Sequence, residues 1–196
     1  MRLQPNLASF MAVVAFVGAW ILAGARLAAE AAAAPPRSAD EYALKSAFLY
    51  QLAMFIDWPQ GKLKRDNAPL VLGVTGEEGC DRIKTFFADK CIDKHKVVVR
   101  LLEAEEEIKD CHILFITRAQ KQRAHELVAA ANKAAVLTVG ETDKFLDSGG
   151  MIRFYIESDR VRLEIKEAAM RQAGLSIKAI ALSALINRGV IKFRKD

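Results

Sequence analysis

The first strong pattern of apolar positions lies between Glu41 and Pro59. Apolar side chains recur there at spacings of three and four, which is typical of one face of a helix, at Leu44, Phe48, Leu52 and Phe55. Asp40 is a candidate N-cap, and Pro59 lacks the amide hydrogen that a continuing helix needs. The pattern predicts a helix that ends near Asp57 and buries this face against a sheet or a neighbouring helix.

Short apolar runs and helical patterns then alternate along the chain. The strands are predicted at 70–74, 97–101, 113–116 and 136–139, and the helical segments between them at 80–88, 103–108 and 119–131. Apolar runs of this length, separated by helices, are typical of strands buried on both faces. The predicted fold class is therefore α/β, with a mostly parallel sheet flanked by helices.

The pattern changes after residue 150. Two strand-like runs, 151–156 and 160–165, are joined by the polar residues Glu157, Ser158 and Asp159, and they predict a β-hairpin. A closing helix is predicted after Ser176, its candidate N-cap, from an apolar stripe at Ile177, Ile180, Ala181, Ala184 and Leu185. The α/β sheet is thus expected to end in a C-terminal hairpin and helix.

The N-terminus has the pattern of an export signal. Arg2 precedes an apolar run from Phe10 to Ala25, and small residues follow at Ala29, Ala31, Ala32 and Ala34. Residues 1–34 are therefore predicted to be a cleaved signal peptide, and residues 35–196 a single domain in the periplasm. A retained membrane anchor is the alternative, because the apolar run is only slightly short of a spanning helix.

Charge argues against nucleic acid as a partner. Loss of residues 1–34 lowers Lys plus Arg from 29 to 27 and Asp plus Glu from 24 to 23, which leaves a net charge of +4. The basic residues are interspersed with acidic ones and do not form the clustered face that nucleic-acid binding needs.

The three cysteines lie in the predicted mature chain, where an oxidising compartment favours pairing. Cys91 ends one predicted helix and Cys111 enters the next core strand, so both are expected near the amino edge of the sheet. Cys80 opens its helix at the opposite edge. A Cys91–Cys111 disulfide is therefore the favoured bridge, and three reduced cysteines are the alternative.

Other candidate chemistry in the sequence is weak. The glycine-rich turn from Gly73 to Gly79 follows a strand and opens a helix, but Glu77 and Glu78 would repel a phosphate. The histidines are His95, His112 and His125. Cys91 and His95 have a metal-like spacing, yet neighbours such as Cys111 and His112 point to opposite faces of a strand. The sequence therefore predicts no metal, no cofactor and no enzyme activity.

Several segments together resemble one known family. They are the opening helix with its Asp-Trp-Pro end, the apolar strands at 69–74, 111–116 and 136–140, and the stretch GGMIRFYIESDRVRLEIKEAAMRQAGL at 149–175. In this order they are similar to the YfiR-like family, whose members are small periplasmic proteins best known as repressors of a membrane-bound diguanylate cyclase. Lys166 stands where the family usually has a small polar residue, and the cysteines do not all match the best-known member.

The resemblance implies a non-enzymatic regulator. Its expected partner is the periplasmic domain of an inner-membrane signalling protein, either a diguanylate cyclase or a sensor kinase, with an outer-membrane lipoprotein as a further candidate and a homodimer left open. It also implies a partner-binding apolar patch within the excess of large side chains at Met151, Phe154, Tyr155, Met170 and Leu175. A periplasmic module that binds a small ligand or a peptide is the alternative.

Overall fold

A sheet of eight strands forms the centre of the described structure. In this computed structural model the described residues are 38–59, 61–63, 68–158, 160–179, 183, 186 and 189–194. The predicted signal peptide, Asp159 of the hairpin turn and four residues of the predicted closing stripe, Ile180, Ala181, Ala184 and Leu185, lie outside them.

Strand order makes the sheet mostly parallel, as the sequence predicts. The strands are β2 (Leu70–Thr75), β3 (Cys91–Ile92), β4 (His95–Leu102), β5 (Ile113–Ile116), β6 (Leu137–Gly140), β7 (Ile152–Glu157), β8 (Arg160–Ile165) and β10 (Ile191–Phe193). They lie in the order β10-β8-β7-β6-β5-β2-β4-β3. The pairs from β4 through β2, β5 and β6 to β7 are parallel, whereas β7 and β8 form the predicted antiparallel hairpin. This confirms the α/β class.

Helices cover both faces of the sheet, because alternate residues of each central strand point to opposite sides. One face packs under α1 (Ser38–Phe55), α2 (Cys80–Phe87) and α4 (Glu167–Gln172). The other face packs under α3 (Ala124–Lys133) and a 3-10 helix at Glu105–Asp110. Among the helices of the described ranges, none has both the length and the apolar character needed to cross a membrane.

Helix α1 buries most of the face that its apolar spacing predicts, and it also buries polar residues. The helix begins at Ser38, so Asp40 lies inside it. Leu52 is buried as predicted, and Phe48 and Phe55 are partly buried against the core, but Leu44 is 45% exposed. The fully buried positions of the helix are Tyr42, Lys45, Ser46, Leu49, Leu52 and Ala53. The prediction was wrong for Leu44, and it missed Lys45 and Ser46 because it counted only apolar side chains.

The C-terminal segment differs from the predicted helix at its start. Ser176 and Ile177 form strand β9, which pairs with β1 (Ile56–Asp57) in a two-stranded ribbon, so Ser176 is not an N-cap. The described residues Ala179, Ser183 and Ile186 are helical. The chain then adds β10 beside β8 in parallel, a strand that the sequence analysis missed.

Replacing Gly79 with alanine should destabilise the protein by about 2–4 kcal/mol. Gly79 has φ of +73°, and an added Cβ would lie 2.3 Å from the ring of Tyr42, which is buried and has no room to move. Gly174 has the same φ of +73°, but its nearest neighbour would be Pro59 Cγ at 3.7 Å. Gly174→Ala is therefore the matched control, and urea unfolding should give it a clearly smaller loss. Equal losses would mean that the contact with Tyr42 does not matter.

Candidate functional site

A cleft of about 230 Å³ opens at the carboxyl edge of the sheet. Residues just beyond the ends of parallel strands meet there, and this edge is the usual position of ligand sites in open α/β sheets. Glu141 directly follows β6, Arg118 follows β5 after one residue, and the first turns of α1 lie across them. The lining residues are Glu41, Lys45, Arg118, Glu141, Asp143, Arg153, Phe154, Tyr155 and Ile156.

Lys45 and Glu141 form a buried ion pair in this cleft. The Lys45 Nζ atom lies 2.5 Å from Glu141 Oε1, and the two side chains are 2% and 1% exposed. The same Nζ atom lies 2.5 Å from Glu41 Oε1, one helical turn earlier on α1. The Lys45 ammonium group also lies 4.7 Å from the centre of the Tyr42 ring.

Arg118 completes a four-residue charge cluster, which we call the ion cluster: Glu41, Lys45, Arg118 and Glu141. Its backbone N–H donates to Glu141 Oε2 at 3.1 Å, its Nε lies 3.4 Å from the same oxygen, and its Nη2 lies 3.1 Å from Glu41 Oε1. Desolvation acts to lower the pKa of Arg118, but the carboxylates of Glu141 and Glu41 outweigh it and raise that pKa. Both Glu141 oxygens are therefore paired, which a buried carboxylate requires.

The other wall of the cleft is built around the half-buried ring of Tyr155. Arg153 Cζ lies 5.5 Å from the centre of this ring, and Lys192 Nζ lies 4.2 Å from it. Arg153 is held in place by Glu164, at 2.7 Å, and by Asp143, at 2.8 Å. Burial raises the pKa of Tyr155, and Glu157 adds to the shift, so the hydroxyl stays protonated at neutral pH. An amphipathic ring between two cations is a typical recognition surface.

The predicted partner patch is largely core. Met151, Phe154, Met170 and Leu175 are at most 2% exposed, and only Tyr155 reaches the surface. Alternate residues of β7 point to opposite faces, so Phe154 turns inward beneath α1 while Tyr155 turns outward. The prediction was wrong for the four buried residues, because the space under α1 and α4 needs more large side chains than the sequence pattern indicated.

The structure does not bring Cys91 and Cys111 together. Both lie near the amino edge of the sheet, as predicted, but β4 and β2 lie between β3 and β5. Three strand spacings amount to about 14 Å, and a disulfide spans Cα atoms no more than about 7 Å apart. All three cysteines are free thiols, with Cys91 exposed and Cys80 and Cys111 buried. The local sequence pattern indicated the edge of the sheet for both cysteines but not the lateral distance between them.

Thiol labelling should therefore detect one rapidly reacting cysteine in the native protein. Cys91 is exposed, whereas burial raises the pKa of Cys80 and raises that of Cys111 to about 11, which suppresses both thiolates. We expect Ellman's reagent to titrate one thiol in the native protein and three in urea, without prior reduction. The melting temperature should not change with dithiothreitol. A single thiol in urea would reveal a disulfide and contradict this arrangement.

The buried histidine has a structural role. The Val71 N–H donates to His112 Nδ1 at 3.0 Å, so Nε2 carries the hydrogen and donates to the Lys62 carbonyl oxygen at 3.2 Å. Burial lowers the pKa of His112, because the charged form would lose solvation and the Val71 bond. Within the described ranges, no group of three or more His, Cys, Asp or Glu side chains is arranged to hold a metal ion.

Acidification should destabilise the folded protein through His112. Its folded-state pKa lies below the unfolded value of about 6.5, so the unfolded state binds the extra proton and stability falls as the pH drops below that value. The slope contributed by one proton is at most about 1.4 kcal/mol per pH unit. Urea unfolding between pH 7.5 and 5 should show this slope in the parental protein and in His125→Gln, which changes an exposed residue. His112→Gln should lack it, and an unchanged slope there would assign the effect to another group.

The charged groups that line the cleft are mostly paired with one another. The ion cluster already pairs each lysine and arginine with a carboxylate, and the lining contains no serine, cysteine or histidine. Tyr42 is buried nearby, and burial raises its pKa further from the neutral range, with Glu141 adding to the shift. Its hydroxyl has no hydrogen-bond partner among the described residues. A nucleophile beside a general base is therefore not found in this lining.

A mostly parallel sheet covered by helices, with a charged cleft at its carboxyl edge, defines an open-sheet α/β protein. The chain belongs to the YfiR/HmsC-like family, whose sequence model matches residues 42–183. This confirms the resemblance drawn from the sequence segments.

A solved structure with a TM-score above 0.5 supports this fold at low sequence identity. A conserved domain protein from Vibrio cholerae matches with a TM-score of 0.53 and 10% identity over 79% of this chain, which spans only 60% of that protein. An ABC domain in complex with L-Trp, from Streptococcus pneumonia, matches with a TM-score of 0.43 and 10% identity, over 58% of this chain and 53% of that one. No curated protein matches the sequence.

The ion cluster was not predicted from the sequence. Its members are spread from Glu41 to Glu141, and only the fold brings them together. One signal was available: Lys45 stands at helical spacing between Tyr42 and Leu49, so a charge interrupts an otherwise apolar face. A lysine in that position predicts a buried carboxylate opposite it.

Proposed function

We propose that this protein is a non-enzymatic periplasmic regulator that binds and represses the periplasmic part of a membrane signalling protein. Membership in the YfiR/HmsC-like family over residues 42–183 is the observation that carries the proposal. The export pattern of residues 1–34 and the binding character of the cleft support it. The favoured partner is a diguanylate cyclase, with a sensor kinase as the second choice.

The mechanism follows from differential binding. A regulator represses its partner by binding the inactive conformation better than the active one, and the shift cannot exceed the ratio of the two affinities. A 99:1 excess of the inactive state over an equal starting mixture needs about a hundredfold ratio, or about 2.7 kcal/mol. A few well-placed anchor residues can supply a difference of this size.

The proposed contact surface is the rim of the cleft around Tyr155. Ile156 follows it on β7, lines the same cleft and is 54% exposed. An exposed apolar side chain and a cation-flanked tyrosine at one cleft combine the two features that interface anchors share. Tyr155 is the residue of the sequence-based patch that this proposal retains.

Site-specific photocrosslinking in living cells tests the proposal. With p-benzoylphenylalanine at position 156, ultraviolet light should join the protein to an inner-membrane protein that has a cyclase or kinase output domain. The same probe at position 121, an exposed lysine beyond the second 3-10 helix (Arg118–Gln120), is the control and should give no such adduct. Deleting the gene should also raise cyclic di-GMP several-fold if the partner is a cyclase. Adducts confined to other protein classes, with unchanged cyclic di-GMP, would refute the proposal.

A periplasmic binding module for a small ligand is the second candidate, and the cleft of about 230 Å³ is the observation that favours it. This volume is below the usual range of about 300–1,000 Å³ for drug-sized ligands. A panel of metabolites tested by thermal shift would favour this candidate if one compound raised the melting temperature of the parental protein and not that of an Arg153→Ala variant.

A further inference from the structure

The outer edge of strand β4 is open over most of its length. On its inner side β4 pairs with β2 from Val97 to Leu102, but on its outer side β3 pairs only with His95 and Lys96. The last bond across this side joins the Val97 N–H to the Lys90 carbonyl oxygen at 3.0 Å. Beyond it, no strand of the described ranges lies against β4.

The direction of that last bond identifies which backbone groups are unpaired. In a strand, the N–H and C=O groups of alternate residues face the same neighbour. Because Val97 faces outward, Val99 and Leu101 present their N–H and C=O groups to the same open side. These groups are a template for one more strand, the arrangement by which extended peptides are bound to sheet edges.

A groove of about 240 Å³ runs beside the open edge, between α2 and β4. Its apolar lining is Phe87, Ala88, Val97, Val98 and Val99. This space suits the apolar side chains that an added strand would place on one of its faces. The groove and the template therefore belong to one surface, which we call the β4 edge.

The charges at the β4 edge indicate what kind of strand would fit. The only charged residues that line the described groove are Lys84 and Lys96. Lys84 has an exposed aspartate, Asp81, 4.0 Å away, which neutralises it weakly. A second copy of this chain would bring the same basic residues to the junction, whereas glutamates or aspartates of a partner would complement them.

We propose that the β4 edge binds an extended segment of a partner protein in which apolar and acidic residues alternate. The backbone groups of Val99 and Leu101 supply the hydrogen bonds, the groove takes the apolar side chains, and Lys84 and Lys96 pair with the acidic ones. This surface is separate from the cleft, and the inference does not depend on the proposed function.

A synthetic peptide provides the direct test. The probe is a fluorescein-labelled decapeptide of alternating valine and glutamate, titrated into purified mature protein at 150 mM salt and followed by fluorescence anisotropy. A valine–lysine decapeptide should bind at least about tenfold more weakly, which corresponds to about 1.4 kcal/mol. A valine–glutamate peptide with proline at its centre should also lose binding, because it cannot donate along the edge.

Two variants and one control variant localise the binding. Lys84→Glu with Lys96→Glu should weaken the valine–glutamate peptide at least about tenfold, whereas Lys121→Glu with Lys133→Glu, which alters exposed lysines outside the groove, should not. Val99→Pro removes an outward N–H but no bond to β2, so a folded variant should lose the peptide. Hydrogen exchange on the parental protein covers the case in which Val99→Pro does not fold, since the peptide should slow exchange of the Val99 and Leu101 amides.

Three results would overturn the proposal. One is equal binding of the valine–glutamate and valine–lysine peptides, and another is binding that survives reversal of Lys84 and Lys96. The third is a concentration-dependent dimer, seen by light scattering, that protects the Val99 and Leu101 amides without peptide, since it would assign the edge to a second copy. A Tyr155→Glu variant should bind the peptide as the parental protein does, which separates this test from that of the cleft.

Discussion

Replacing Lys45 with methionine should lower the free energy of unfolding by about 3–5 kcal/mol. Lys45 is the counter-ion of Glu141, and both side chains are almost fully buried. Methionine fills a similar volume but leaves the Glu141 carboxylate without its shortest partner in a site with little water. The penalty is that of an uncompensated buried charge, and urea unfolding at pH 7 measures it directly.

Two further variants make this prediction specific. Lys45→Met combined with Glu141→Leu removes both charges and should recover most of the loss, because an apolar pair of similar volume usually replaces a buried ion pair without a large change. Lys84→Met breaks the exposed pair with Asp81 and should change stability by less than about 0.5 kcal/mol. If Lys45→Met were as mild as Lys84→Met, water would have to reach the ion cluster, and its burial would be contradicted.

Replacing Met170 with glutamate should leave the chain unfolded. Met170 lies on the buried side of α4, is 2% exposed, and belongs to the same core cluster as Ala169 and Leu175. A carboxylate there has no partner to offset its desolvation, and the cost of burying an unpaired charge, on the order of 10 kcal/mol or more, is comparable with a total stability of about 5–15 kcal/mol. Circular dichroism and gel filtration should both show the loss of the native state.

Tyr155→Glu is the matched surface change. Its ring is half exposed and lies between the cations of Arg153 and Lys192, which can pair with a new carboxylate. The variant should therefore fold, yet weaken binding to the membrane partner by about 2 kcal/mol, or about thirtyfold. A folded Met170→Glu variant would place that residue at the surface after all, and full partner affinity in Tyr155→Glu would move the interface away from the cleft rim.

Local sequence pattern was sufficient for the long central elements of the fold. The apolar runs at β2 and β5 are buried at every position, so they carry a signal that does not depend on their neighbours. The short strands β1, β3 and β9 have two residues each, and β10 has three. Segments this short have no periodicity, because their partners elsewhere in the chain fix them, and that explains why Ser176 was assigned to a helix.

The site was harder to predict than the fold, because it depends on lateral position and on charge. Cys91 and Cys111 lie at the same edge of the sheet, but the order of the strands sets the distance between them. The local sequence pattern does not predict that order. The size and apolar character of the hairpin residues did not indicate which of them are buried and which are exposed. Lys45 was not predicted to be buried, because lysines usually face solvent. Its partner Glu141 is 96 residues away, so no local pattern links the two.

Both ends of α1 are fastened to parts of the chain that come much later. The ion cluster holds its first turns to Glu141, while β1 pairs with β9, and Lys178 donates its backbone N–H and its Nζ to the Phe55 and Met54 carbonyl oxygens at 2.8 and 2.9 Å. In a chain that emerges N-terminus first, α1 can pack on α2 and the first strands early, but its C-terminal end lacks these contacts until residues 176–178 have appeared. The native position of α1 is therefore completed only near the end of synthesis, and a chaperone that shields α1 during that interval should raise the yield of folded protein.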